Sequence, residues 1–133
     1  MLDITYETMC ASLAESVLEL NEAYAEEVRR WPEVVELPHV VYGNLLNPLL
    51  VSLLLEDDTE ARLQPIYAFL EVLATSKDDQ VRNVLAVTVL EGILGHGGRP
   101  AWDRARPYMG RATAEIGAKV ERHFFDGTLL ESI

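Results

Sequence analysis

Disulfide chemistry is closed to this sequence, because Cys10 is its only cysteine among 133 residues. That usage suits a reducing compartment and leaves a single core to hold the fold. A chain of this length is about one domain and can bury roughly two thirds of its unfolded surface, so it needs no covalent staple. Positive charge is scarce as well: 11 Lys and Arg stand against 22 Asp and Glu, a net charge of −11. Such a surface repels nucleic acid and anionic lipid, and neither is expected as a partner. Long apolar runs are also missing. The most apolar stretch, Val40 to Leu55, has 16 positions and is interrupted by Asn44, Asn47, Pro48 and Ser52. A membrane-spanning helix needs about 20 apolar residues. The opening MLDITYETMC has neither a basic n-region nor an apolar h-region, so a secretory leader is not expected and a cytoplasmic location is.

Signatures of bond chemistry are equally thin. The histidines, at 39, 96 and 123, form no H-x-x-x-H pair. Glu36 stands three before His39, the spacing of di-iron bundles, but Pro38 lies inside that spacing and spoils a shared helical face. Neither a nucleophile elbow nor a glycine-rich phosphate loop occurs. GHGGR, at 95–99, offers backbone N–H groups and an arginine to an anion, although a helix connector is the simpler reading. Cys10 falls on an apolar stripe, where a thiol is small core filler. No catalytic residue, metal or cofactor is therefore expected.

Helical periodicity is abundant. Tyr6, Met9, Leu13, Val17, Leu20, Tyr24, Val28 and Trp31 recur at three or four residues, predicting one long helix that ends before Pro32. WPEVVELPH, at 31–39, reads as an extended linker. The apolar stretch predicts the central helix, starting between Asn44 and Pro48 with an asparagine as cap. Asp57, Asp58 and Thr59 predict a turn and cap for a helix carrying Leu63, Ile66, Tyr67, Leu70 and Leu73, with a bend or late start at Pro65. TSKDDQ, at 75–80, predicts a second capped turn, followed by a helix ending at Gly95 as C′ residue. GHGGRP reads as a flexible loop, and Pro100 opens a short helix that Pro107 interrupts. A last helix spans about Gly110 to Phe124, with Met109, Ile116, Val120 and Phe124 inward. Asp126 and Gly127 form a turn, and the tail follows. The expected fold is all-α: a single helical domain over 1–133, a compact bundle of five to six helices with a repeat-like antiparallel pair over 59–75 and 78–94.

Charge is distributed unevenly. Residues 1–36 hold nine acids and two bases (−7), residues 37–98 eight and three (−5), and residues 99–133 five and six (+1). Glu15, Glu19, Glu22 and Glu26 fall at helical spacing, where like charges repel by a few tenths of a kcal/mol per pair. A basic partner relieves that repulsion. Those four residues are the expected partner-binding face, with Glu33, Glu36, Asp57 and Asp58 as a second patch. His39, Tyr42 and Asn44 cluster at the mouth of the central helix and form a candidate small site.

Three segments, HVVYGNL at 39–45, DDQVRNVLAVTVLEGIL at 78–94 and PYMGRATAE at 107–115, together resemble an uncharacterised family of small helical bacterial proteins. The resemblance covers roughly residues 38 to 120. Its motifs are caps, a buried helix and a Met-Gly turn, and it implies an aspartate-like cap at Asn44. The family is loosely associated with immunity proteins of bacterial toxin systems. It implies a cytoplasmic immunity protein that occludes a cognate toxin's basic active site through an acidic surface. The alternative is a helical adaptor that binds a peptide or self-associates, with an apolar patch near Trp31 or Trp102.

Overall fold

Proline and glycine set most of the borders in the computed structural model, which describes residues 3–126. The turn expected at 126–127 and the tail after it lie outside the described residues. Helix α1 is Met9–Ser16 and α2 is Asn21–Arg30. The single long helix predicted from the apolar stripe is therefore broken. Val17 leaves helical geometry at φ −112° and ψ 88°, and a 3₁₀ turn, Leu18–Leu20, leads into α2. Asn21 Nδ2 donates to the Ala14 carbonyl oxygen (3.4 Å), one of the acceptors that the break strands. The stripe still points inward on both sides of the corner, which is why it reads as continuous. Met9, Leu13, Val17 and Leu20 are buried, Tyr24 and Val28 pack on the core, and Trp31 is exposed.

The expected linker is helical too. Pro32–Glu36 forms a 3₁₀ turn, and α3 runs without interruption over Pro38–Leu55. It starts at Pro38, not between 44 and 48, because a proline at the first helical position lacks only an N–H that would be unpaired anyway. Asn44 and Asn47 consequently lie inside the helix and cap nothing. A π-turn over Tyr42–Leu46 precedes Pro48, and the Asn47 N–H reaches back five residues to the Tyr42 carbonyl oxygen. A wide turn there suits a proline, whose ring would otherwise press on the carbonyl four residues before it. By length and composition α3 could cross a membrane, yet 44% of it is buried inside the bundle. It packs against α1 and most of the elements described next.

Helix α4 is Glu60–Ala74 and begins before Pro65, without the late start. Thr59 does not cap it. Its hydroxyl donates instead to the Leu53 carbonyl oxygen (2.7 Å) at the end of α3. The second turn behaves as predicted: Asp78 Oδ1 accepts from the Gln80 N–H (3.0 Å). Helix α5 covers 79–105 in two limbs. The first holds π-turns at Val84–Leu90 and Ile93–Gly97, and the second is Gly98–Ala105. The flexible loop expected at GHGGRP is thus helical on both sides of one left-handed residue. Gly98, at φ +69°, takes the role assigned to Gly95. Helix α6 is Arg111–Asp126, entered through a 3₁₀ turn at Arg106–Tyr108 that contains Pro107. Ile116 and Val120 face in as expected, but Phe124 is exposed and lies edge-on to Phe125. Thr113, not foreseen as inward, is fully buried. Among the described residues there is no strand, and the all-α bundle stands as expected.

Candidate functional site

His39, Tyr42 and Asn44 diverge. Tyr42 is fully buried, and its hydroxyl donates to the Met9 carbonyl oxygen (2.7 Å), tying α3 to α1. His39 turns the other way, with Nδ1 2.5 Å from Thr88 Oγ1 on α5; burial lowers its pKa. Asn44 faces solvent. Successive residues of a helix point about 100° apart, so nearness in sequence did not bring these three together.

Thr88 is the hub that sequence reasoning missed. Its hydroxyl meets His39, and its carbonyl oxygen accepts from Asn47 Nδ2 (2.8 Å). Asn47 is itself buried. A Cβ on Gly92 would stand 2.3 Å from that nitrogen, so only glycine fits opposite it. A second missed stitch joins α4 to α6. Glu71 accepts from the Ala112 N–H (2.9 Å), the Thr113 N–H (2.9 Å) and the Thr113 hydroxyl (2.7 Å). Burial pushes the Glu71 pKa up, but those three bonds outweigh it and hold the carboxyl below its usual range. Both stitches explain family-like motifs, VLEG and PYMGRAT, as structural. No spacing rule could have paired Glu71 with residues more than 40 positions away.

The eight acids named from sequence are all exposed. Three of them meet the chain's own arginines. Glu19 binds Arg62, Glu26 binds Arg29 (2.6 Å) and Arg30 (4.0 Å), and Asp57 binds Arg104 (3.7 Å). Glu15, Glu22, Glu33, Glu36 and Asp58 make no ion pair among the described residues. The corner at Val17 also takes Glu15 off the line of Glu22 and Glu26. Glu15 instead edges a hollow of about 490 Å³ between α1 and α4, beside Ser12, Pro65, Ala68 and Phe69.

Two larger hollows adjoin each other between the second limb of α5 and α6, about 570 and 620 Å³, sharing Ala118 and Glu121. Trp102 is buried there, whereas Trp31, the other residue named for an adaptor patch, is exposed. Its indole N–H donates to Glu121 Oε1 (2.9 Å), and Arg99 Nη1 donates to Glu121 Oε2 (3.1 Å). These two bonds lower the Glu121 pKa. Arg99 also covers the Phe125 ring at 4.5 Å, so the arginine of GHGGR is engaged internally. The +1 balance over 99–133 and the arginine of GHGGR were the traces of this cleft in the sequence.

Burial raises the Cys10 thiol to about pKa 11, which leaves it protonated and a poor nucleophile at neutral pH. Among the described residues, no three His, Cys, Asp or Glu side chains gather as a metal site.

Neither a curated protein nor a solved structure matches this chain. One family does, described as "Domain of unknown function (DUF7674)", over residues 10–124. That span exceeds the 38–120 over which the resemblance was legible. It runs from the first turn of α1 to the last turn of α6 and takes in both polar stitches, and on that match the chain belongs to the DUF7674 family.

Proposed function

We propose that this protein is a cytoplasmic immunity protein that binds a toxin through its acidic side and occludes a basic active-site cleft. The observation that carries the reading is the set of unpaired, exposed carboxylates on and after α2, namely Glu22, Glu33 and Glu36. Glu15 and Asp58 extend the set. Glu19, Glu26 and Asp57 add charge to the same region but are already held by arginines, so they contribute less to a partner. Carboxylates without an internal partner are the ones free to exchange water for an incoming Lys or Arg. Their long-range field accelerates encounter with a positive cleft, and salt weakens it. Occlusion needs no bond chemistry: the protein fills the place a negatively charged substrate would take.

The test is co-expression with the product of the adjacent gene, followed by measurement of association at low and high salt. Association is expected to weaken steeply with salt, and Glu22→Lys with Glu36→Lys is expected to abolish it while leaving the melting temperature unreduced. Association unchanged by the double reversal would assign binding to another face.

A further inference from the structure

We infer that the cleft between the second limb of α5 and α6 docks a short acidic, apolar peptide segment of a second partner. The cleft is built by small residues. Ala114, Gly117 and Ala118 fall at i, i+3 and i+4 on one side of α6, leaving a trough where larger side chains would stand. Gly117 keeps it open: a Cβ there would lie 3.3 Å from Met109 Sδ and in ordinary contact, 3.5 Å, with the Trp102 ring. Met109, partly buried against the covered Trp102 ring, makes the apolar floor, and methionine adapts readily to whatever packs on it. Trp, Met and Arg are also the residue types enriched where proteins meet.

Charge selects the occupant. Glu121 is engaged by Trp102 and Arg99, and Asp103 lies 3.9 Å from Arg99. Arg106 and Arg122, at the two ends of the cleft, make no ion pair among the described residues. Arg106 also attracts Glu121 at longer range, but the lining holds three arginines against two carboxylates, so the balance of charge in the cleft is positive. An apolar side chain over Met109, with a carboxylate reaching either arginine, satisfies both features. Residues 1–98 sum to −12 (−7 and −5). An acidic segment is thus repelled elsewhere on the molecule and steered to this end. The site owes nothing to the carboxylates around α2, so the two readings succeed or fail separately.

A random 12-residue peptide library, displayed on phage and panned against the intact protein, tests the inference. Enriched peptides are expected to carry Asp or Glu within four positions of Leu, Ile, Met or Phe. They should bind the parent about tenfold or more tighter than either Arg106→Glu/Arg122→Glu or Ala118→Glu. Ala118 is exposed on α6, so its variant keeps the fold and blocks the trough even if the arginine variant does not. Enrichment of basic peptides, equal binding to all three proteins, or no enrichment would overturn the inference. So would a single-stranded oligonucleotide that binds these arginines more tightly than any selected peptide.

Discussion

Glu71 acts as an N-cap supplied from a different helix. Its carboxylate takes the first free N–H groups of α6 and the Thr113 hydroxyl, so α6 cannot shift along α4 without leaving buried donors unpaired. Glu71→Ala is expected to cost about 1–2 kcal/mol, and Glu71→Gln less, because an amide oxygen still accepts. Chemical denaturation reads both. Gly110 belongs to the same joint: a Cβ there would stand 2.4 Å from the Glu71 carboxyl carbon. Gly110→Ala should therefore be costly in the parent and much less so beside Glu71→Ala, a coupling that a double-mutant cycle measures. The folded Glu71 pKa lies below its ordinary 4.5, so the unfolded chain takes up this proton first as acid is added. Its contribution is full above that value and disappears as pH falls through the folded pKa. In Glu71→Gln this part of the acid sensitivity should be gone. None of it was legible in the sequence, where Glu71 looks like one more surface acid on a helix.

At the scale of elements, what could be read locally was read well. Pro32 ends α2, Asp78 caps α5, and Pro107 interrupts the approach to α6. The errors came where one signal had two meanings. Prolines at 32 and 38 suggested an extended linker, yet each opens a helical segment at a position where its missing N–H is harmless. Asn47 before Pro48 looked like a cap, yet its amide serves the Thr88 carbonyl oxygen within a π-turn of α5. The same ambiguity touches two glycines of α5. Gly92 lies against Asn47 and has no room for a methyl, whereas nothing lies within 4 Å of a Cβ on Gly95. Gly92→Ala should therefore lose about 1–3 kcal/mol by overpacking the crossing of α3 and α5. Gly95→Ala should gain about 0.5–1 kcal/mol, since it removes only backbone freedom from a helical position. Melting the two variants side by side checks both signs. Equal effects would mean that the α3–α5 crossing does not depend on Asn47.

Over the whole molecule, acids outnumber bases two to one, and the arginines hold only some of them. The ion pairs they make are mostly exposed, as at Arg29–Glu26 and Arg104–Asp57, so each is worth about 0–1 kcal/mol and weakens with salt. Repulsion among the remaining carboxylates weakens with salt as well. The excess of acids makes repulsion the larger quantity, so the melting temperature should rise as salt is added from about 10 mM toward the range where the Debye length falls below 10 Å. Reversing Glu22 and Glu36 relieves that repulsion at low salt, and although Glu22 gives up its favourable place in the first turn of α2, a small net stabilisation, below about 1 kcal/mol, is expected and should shrink at high salt. Calorimetry at two ionic strengths measures it. The sign matters for function. A carboxylate kept only for solvation would be replaceable with little loss, whereas one kept for a partner holds its place although the isolated molecule would be more stable without it. Greater stability together with lost association in the same double variant would identify Glu22 and Glu36 as binding residues. Greater stability with association intact would leave the acidic side as solvation alone and shift attention to the cationic cleft at the opposite end of the charge distribution.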